Sequence, residues 1–304
     1  MSRERDFIGC LRALAFHPAA RGLADDAAVL PMGVHDLVLT HDMLVEGVHY
    51  LSADPPADVA WKLVAVNLSD LAAKGARPIG VLMGYMLARD AGWDAVFAEG
   101  LREVLATFDV PLLGGDTVAS GGGARTLGLT AIGTVAPGGA PSRAGARAGD
   151  GLWVTGAIGA AGLGLAIAGA GATEPAALLR AYRQPVPRLA EGQALASHVH
   201  AMADVSDGLL IDAARMGEAS GLAVSIRLDA VPLPSGVPDT RTDRLRAATA
   251  GDDYELLFAA PAGFAPPPEV TCTRIGDFAE GGGLALADAT SAIPLPTSLG
   301  FEHD

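Results

Sequence analysis

Apolar and polar positions alternate along the chain in a way that predicts a succession of strands and helices. "RDFIGCLRALAF" near the start suits a short helix, and the first part of "DLVLTHDMLVEGVHYL" suits a strand. Across residues 58–76, "DVAWKLVAVNLSDLAAKGA", Val59, Leu63, Val66 and Leu71 approximate the helical period, with Gly75 and Pro78 following the predicted end. "PIGVLMGYML" predicts the next strand. Asp90 can then cap a helix whose apolar stripe is Trp93, Phe97, Leu101, Val104, Leu105 and Phe108. "VPLLGGD" and "TLGLTAIGTV" follow as strands, and the Gly-, Pro- and Ala-rich "APGGAPSRAGARAGD" reads as a boundary. Beyond it come the strand "GLWVTG", a run of helices, and a last α/β section. The pattern predicts an α/β or α+β chain in two parts of similar size, 1–137 and 138–304.

One segment departs from a simple core pattern. In "ADVSDGLLIDAARMGEASG", positions 203–221, the carboxylates Asp204, Asp207 and Asp212 lie in or beside an apolar run, where an unpaired charge is costly. "MADVSD" reads as a strand end and "GLLIDAARMGEAS" as a helix closed by Gly221, so alternation puts Asp204 and Ser206 on one strand face and Asp207 at the turn. Asp212 lies within the helix and could equally face solvent. "VNLSDLAA" at 66–73 echoes this stretch, and in a helix its Asn67 and Asp70 share a face with Lys74. More acids stand at polar turns: Asp25 and Asp26, Asp42 and Glu46, Asp116, and Asp252, Asp253 and Glu255. Turn chemistry accounts for any one of them. Together, beside apolar strands, they are what a Mg²⁺ and phosphate site requires, because hard cations take oxygen ligands.

Composition narrows the field. The 304 residues are 50% hydrophobic, enough for a sizeable core, and the net charge of −14 argues against nucleic acid or an anionic membrane as partner. Cys10 and Cys272 show neither metal spacing nor a disulfide framework, and the N-terminus has no signal-peptide core, which points to the cytoplasm. The uncharged run at 153–173 is mostly Gly and Ala and reads as a glycine-rich turn and buried helix rather than a membrane span. Its glycines suit tight helix packing better than a dinucleotide fold, since no acid follows at the right distance. There is no P-loop, H-E-x-x-H or G-x-S-x-G, and the only lysines are Lys62 and Lys74.

Taken in order, "ADDAAV", "THDMLVEGVHY", "WKLVAVNLSDLAAKGARP", "LLGGDT", "SRAGARAGD", "DVSDGLLID" and "GDDYELLF" resemble the thiamine-monophosphate kinase family, of the superfamily typified by aminoimidazole ribonucleotide synthetase. The resemblance implies a two-domain fold whose N-terminal sheet pairs across a homodimer. It also implies in-line transfer of phosphate from ATP, a co-substrate, to thiamine monophosphate with Mg²⁺ and no phosphoenzyme. By position, Asp26, Thr40, Asp42, Asp70, Asp116, Asp204 and Asp207 match magnesium sites; among these, Asp26, Asp42, Asp70 and Asp207 would be central to catalysis. Gly115, Asp116, Arg143 and Ser206 match nucleotide-binding positions, and His49, Asp252 and Phe301 match substrate contacts. Ala24, His41, Asp252 in "AGDDYE" and the tail His303-Asp304 depart from the family pattern; Asp252 is one methylene shorter than the usual Glu. Other ATP-dependent members of the superfamily, or a non-catalytic Mg-ATP-binding homologue, are the alternatives.

Overall fold

The computed structural model describes residues 3–12, 14–88, 90–119 and 122–303. In the first half, helix α1 (Arg3–Arg12) precedes strands β1 (Ala28–Pro31) and β2 (Asp36–Val45), helix α2 (Pro56–Ala73), strand β3 (Arg77–Leu87), helix α3 (Ala91–Thr107), and strands β4 (Leu112–Ala119) and β5 (Thr126–Val135). The five strands form one sheet in the order β1-β2-β5-β3-β4. All pairs are antiparallel except β3 and β4, which α3 connects as a parallel crossover. Asp90 caps α3 by accepting from the Gly92 N–H at 2.8 Å, as the sequence predicts.

The second half contains β6 (Gly151–Thr155), α4 (Ala160–Gly169), α5 (Ala176–Arg183), α6 (Leu189–Leu195), β7 (Ala201–Asp204), α7 (Leu209–Ser220), β8 (Ala223–Arg227), α8 (Arg241–Thr249), β9 (Leu256–Ala260), β10 (Cys272–Ala279), β11 (Gly283–Ala287) and β12 (Ala292–Ile293). Its strands form a second sheet in the order β12-β11-β8-β10-β6-β9-β7. The glycine-rich segment packs closely: a Cβ on Gly164 would lie 2.1 Å from the Leu178 carbonyl oxygen of α5. Only one face of α4 is covered, however, and Leu165 is exposed, so the expectation of a buried helix holds for that face alone. No helix among the described residues is long and apolar enough to cross a membrane.

Helix α2 belongs to both halves. Val59, Leu63, Leu68 and Leu71 join the core over the first sheet, while Ala72 and Ala73 pack with Leu195, Met202, Leu256 and Phe258 of the second. Buried from two sides, α2 carries Lys62, Asn67, Ser69, Asp70 and Lys74 into the interior along with its apolar residues. Each of those polar groups therefore needs a partner, and the partners define a site. By contrast, β4 is an edge strand exposed along its whole length, including Leu112, Leu113 and Val118.

Candidate active site

Strand β2 and helix α2 supply one wall of the site. Asp42 on β2 receives its backbone register from Asn67, whose Oδ1 accepts the Asp42 N–H at 2.9 Å. Thr40, two residues earlier on the same face, donates a short hydrogen bond to Asp70 of α2. His41 points to the opposite, exposed face, where its Nδ1 lies 2.9 Å from Thr130 Oγ1. The second half contributes the end of β7 and the loop after it, and there the two sequence echoes meet: Ser69 Oγ donates to Asp204 Oδ2 at 2.5 Å.

The result is a set of oxygen atoms with no apolar purpose. Carboxylate atoms of Asp26, Asp70 and Asp204 lie within 4.8 Å of one another. Burial raises Asp70 and Asp204 well above the ordinary carboxylate range, and the charges of their acidic neighbours add to it. Asp42 is pushed up to about 6 by burial, reinforced by Asp26 and Asp207. Mutually repelling carboxylates at this spacing make a hard-oxygen donor set that fits Mg²⁺.

Cationic side chains already reside beside it. The Lys74 ammonium lies 2.5 Å from Asp25 Oδ1, 2.6 Å from Asp26 Oδ2 and 3.1 Å from the Met202 carbonyl. Burial alone would raise Asp25, but Lys74 and Arg21 together hold it well below its usual range. Arg143 forms a short ion pair with Asp26, and its Nε is buried without a hydrogen-bond partner among the described residues, which leaves donor capacity for an oxyanion. Arg215 pairs with Asp207 and, at 3.0 Å, with Asp212. Asp212 is fully buried and accepts the N–H groups of Asp207 and Gly208 at 3.0 and 3.1 Å; it holds the turn and does not face solvent.

A cleft of about 1330 Å³ runs from this acidic end to a second polar end. Asp26, Asp42, Asp70, Arg143 and Asp204 line the first and His49, Asp252, Phe301 and His303 the other; Ser206 and Asp207 join the two, their carbonyls accepting the Asp252 and Phe301 N–H groups at 2.7 and 2.9 Å. Val45 N–H donates to His49 Nδ1 at 3.0 Å, which leaves the proton of neutral His49 on Nε2. Burial, helped by His303, lowers the His49 pKa and favours that neutral form. Phe301 is tethered by its N–H to the Asp207 carbonyl at 2.9 Å, while its ring stays exposed against His303.

The structure corrects one sequence reading, decides a second and places a third pair of residues away from the cleft. Ser206 lies in the loop beyond the end of β7 and does not share a strand face with Asp204. Asp212 is interior. Gly115 and Asp116 sit on the exposed edge strand β4 and do not line the cleft of their own chain. Sequence reasoning gave no role to Arg215, Tyr254 or Lys62; the one available signal was that lysine occurs only twice, both times on one predicted helix.

Comparison with known proteins agrees with this architecture. The AIR synthase related protein families match in sequence, the N-terminal domain over residues 24–135 and the C-terminal domain over 147–291. Two sheets bridged by one helix, with carboxylates from both halves in a shared cleft, are the arrangement this class has in the present chain. Thiamine-monophosphate kinase of Caulobacter vibrioides is 40% identical over 94% of the chain and 86% of its own length. The structure of AaThiL complexed with AMPPCP and TMP superimposes with a TM-score of 0.86 at 26% identity, covering 97% of this chain and 95% of that one. Thiamine-monophosphate kinase from Stenotrophomonas maltophilia is 35% identical with a TM-score of 0.77, covering 94% and 96%. The chain belongs to the thiamine-monophosphate kinase family.

Proposed function

We propose that the cleft transfers the γ-phosphoryl group of ATP to the phosphate of thiamine monophosphate, giving ADP and thiamine diphosphate. The observation that carries this reading is the convergence of Asp26, Asp70 and Asp204 opposite Arg143, in one cleft with His49, Asp252 and Phe301. Asp26, Asp70 and Asp204, with Thr40, Asp42 and Asp207 at their margin, would hold Mg²⁺. Bound there, the metal would neutralise the charge shared by two polyphosphates. Arg143 can turn its unused donors to a phosphate oxygen, and Ser206, which lines the same cleft, would join it in holding the nucleotide.

The acceptor is a phosphate monoester, ionised near neutrality because its second pKa is about 6, so attack needs no general base. A terminal oxygen of the acceptor forms the bond to Pγ as the bond to the ADP oxygen breaks, in line and without a phosphoenzyme. His49 Nε2–H, Asp252 and the Phe301 ring orient the acceptor. Gly115 and Asp116 join this machinery through a homodimer: β4 offers an unpaired edge with exposed Leu112, Leu113 and Val118, which a second copy's sheet would cover. The division into 1–137 and 138–304 follows the change of sheet. An ATP-dependent enzyme with two free cysteines suits the cytoplasm.

The test is ADP release together with direct detection of thiamine diphosphate, in Mg-ATP with thiamine monophosphate or with free thiamine. Product from the monophosphate alone is expected. ADP without thiamine diphosphate, or no turnover with Mg-ATP still bound, would assign the cleft to another acceptor or to nucleotide sensing.

A further inference from the structure

We infer that Lys62 is the positioning residue of the acceptor end of the cleft. It rests on the reading above that His49 and Asp252 contact the acceptor. Lys62 is 2% exposed, and its ammonium donates to Asp252 Oδ2 at 2.7 Å and to the His49 carbonyl at 2.9 Å. Those two partners lie 190 and 13 residues away in sequence, one in each half of the molecule. Lys62 is thus the tie that fixes one substrate-facing residue relative to the other.

The remaining contacts show that this lysine is itself held. Its Nζ lies 4.3 Å from the centroid of the Tyr182 ring. The Tyr182 hydroxyl donates to Asp54 at 2.8 Å, and Arg183 Nε donates to the other Asp54 oxygen at 2.8 Å. Asp252 is gripped from the other side as well, because Tyr254 OH donates to its Oδ1 at 3.0 Å. Both Asp252 and Tyr254 have positive φ, 69° and 51°, a conformation that costs a non-glycine residue free energy and persists only where contacts over-determine it. A compact ammonium with three donors suits a carbonyl, a carboxylate and a ring face arranged around one point; a planar guanidinium does not. Asp252 has a short side chain and cannot search for a partner, so its aim depends on this clamp.

The experiment measures thiamine monophosphate affinity by calorimetry without ATP, and KM and kcat with it, for the unsubstituted protein, K62M, D252N and the double variant. K62M is expected to weaken acceptor binding and raise its KM at least tenfold, with kcat and the KM for ATP within twofold. In the D252N background the same substitution should change acceptor KM less than threefold, because the lysine acts through Asp252. K62Q, which keeps a donor in the socket, is expected to retain part of the affinity and serves if K62M does not fold. Unchanged acceptor affinity in the lysine variants, a matching fall in kcat and ATP binding, or full additivity with D252N would overturn the inference. Failure of the unsubstituted protein to bind thiamine monophosphate would overturn the functional reading itself, and this inference with it.

Discussion

Of the two lysines of the chain, Lys62 lies in the first half of α2 and Lys74 is its C-cap, and the two ends of this stretch treat a buried ammonium differently. Lys74 is fully buried between Asp25 and Asp26, whose side chains are 2% and 1% exposed. Lys62 is nearly as buried, but its carboxylate partner Asp252 is 29% exposed. One end is a crowded charge cluster; the other is a hydrogen-bonded socket whose carboxylate is partly open to solvent. The first needs resident cations to exist before any ligand arrives, whereas the second needs its cation for aim.

The largest effect expected is on catalysis at the acidic end. D204N should lower turnover by about 100-fold or more, the usual scale for removing a group that organises transition-state charge. The same substitution should raise the melting temperature in the absence of Mg²⁺, because it deletes a carboxylate that burial and Asp26 both disfavour. Kinetics and calorimetry on one preparation check both halves. A variant that loses activity and stability together would mean that Asp204 is structural.

Next comes stability. K74M leaves Asp25 and Asp26 buried with less compensation and should cost about 3–5 kcal/mol by denaturant unfolding, part of it recovered by Mg²⁺. K62M should cost less, about 1 kcal/mol, since the partly exposed Asp252 can hydrate. Equal losses at the two ends would erase the distinction between them. A smaller effect concerns the edge strand: if the homodimer proposed above forms through β4 and Asp116 acts across it, V118K should give monomer in sedimentation and lower activity about tenfold, on the order of 1.4 kcal/mol.

Local structure was legible from the sequence where periodicity and end signals agreed. The strand expected at "TLGLTAIGTV" is β5, and the helix expected over 58–76 is α2 at Pro56–Ala73. The face shared by Asn67, Asp70 and Lys74 was also legible, and each of the three meets a different partner from the cleft. What could not be read was which distant groups those faces would meet. Lys62 to Asp252, Ser69 to Asp204 and Arg143 to Asp26 are each separated by more than 100 residues. Period alone could not tell that α2 is covered from both sides, and so could not make Lys62 interior. Asp212 stayed open for a related reason: an acid in the first turn of a helix suits solvent equally well until its own turn folds back onto it.

Asp253 sharpens the comparison from a third position, because it is a half-buried acid with no lysine partner at all. It accepts the N–H groups of Gly159 and Ala161 at 2.7 and 3.3 Å, at the start of α4. Burial nevertheless pushes its pKa up to about 7, against 3.8 for an unburied carboxyl. Because the folded value is the higher one, the folded state holds a proton that the unfolded chain has released between those two pH values. Its contribution is therefore complete below pH 4 and is lost as pH rises toward 7, with a slope of up to about 1.4 kcal/mol per pH unit. D253N keeps an acceptor for α4 and removes the charge. Its melting temperature should match that of the unsubstituted protein near pH 4 and exceed it above pH 7, measured without Mg²⁺. If instead D253N is the less stable at pH 8, two amide donors suffice to hold such a carboxylate, and the two lysines serve aim more than charge.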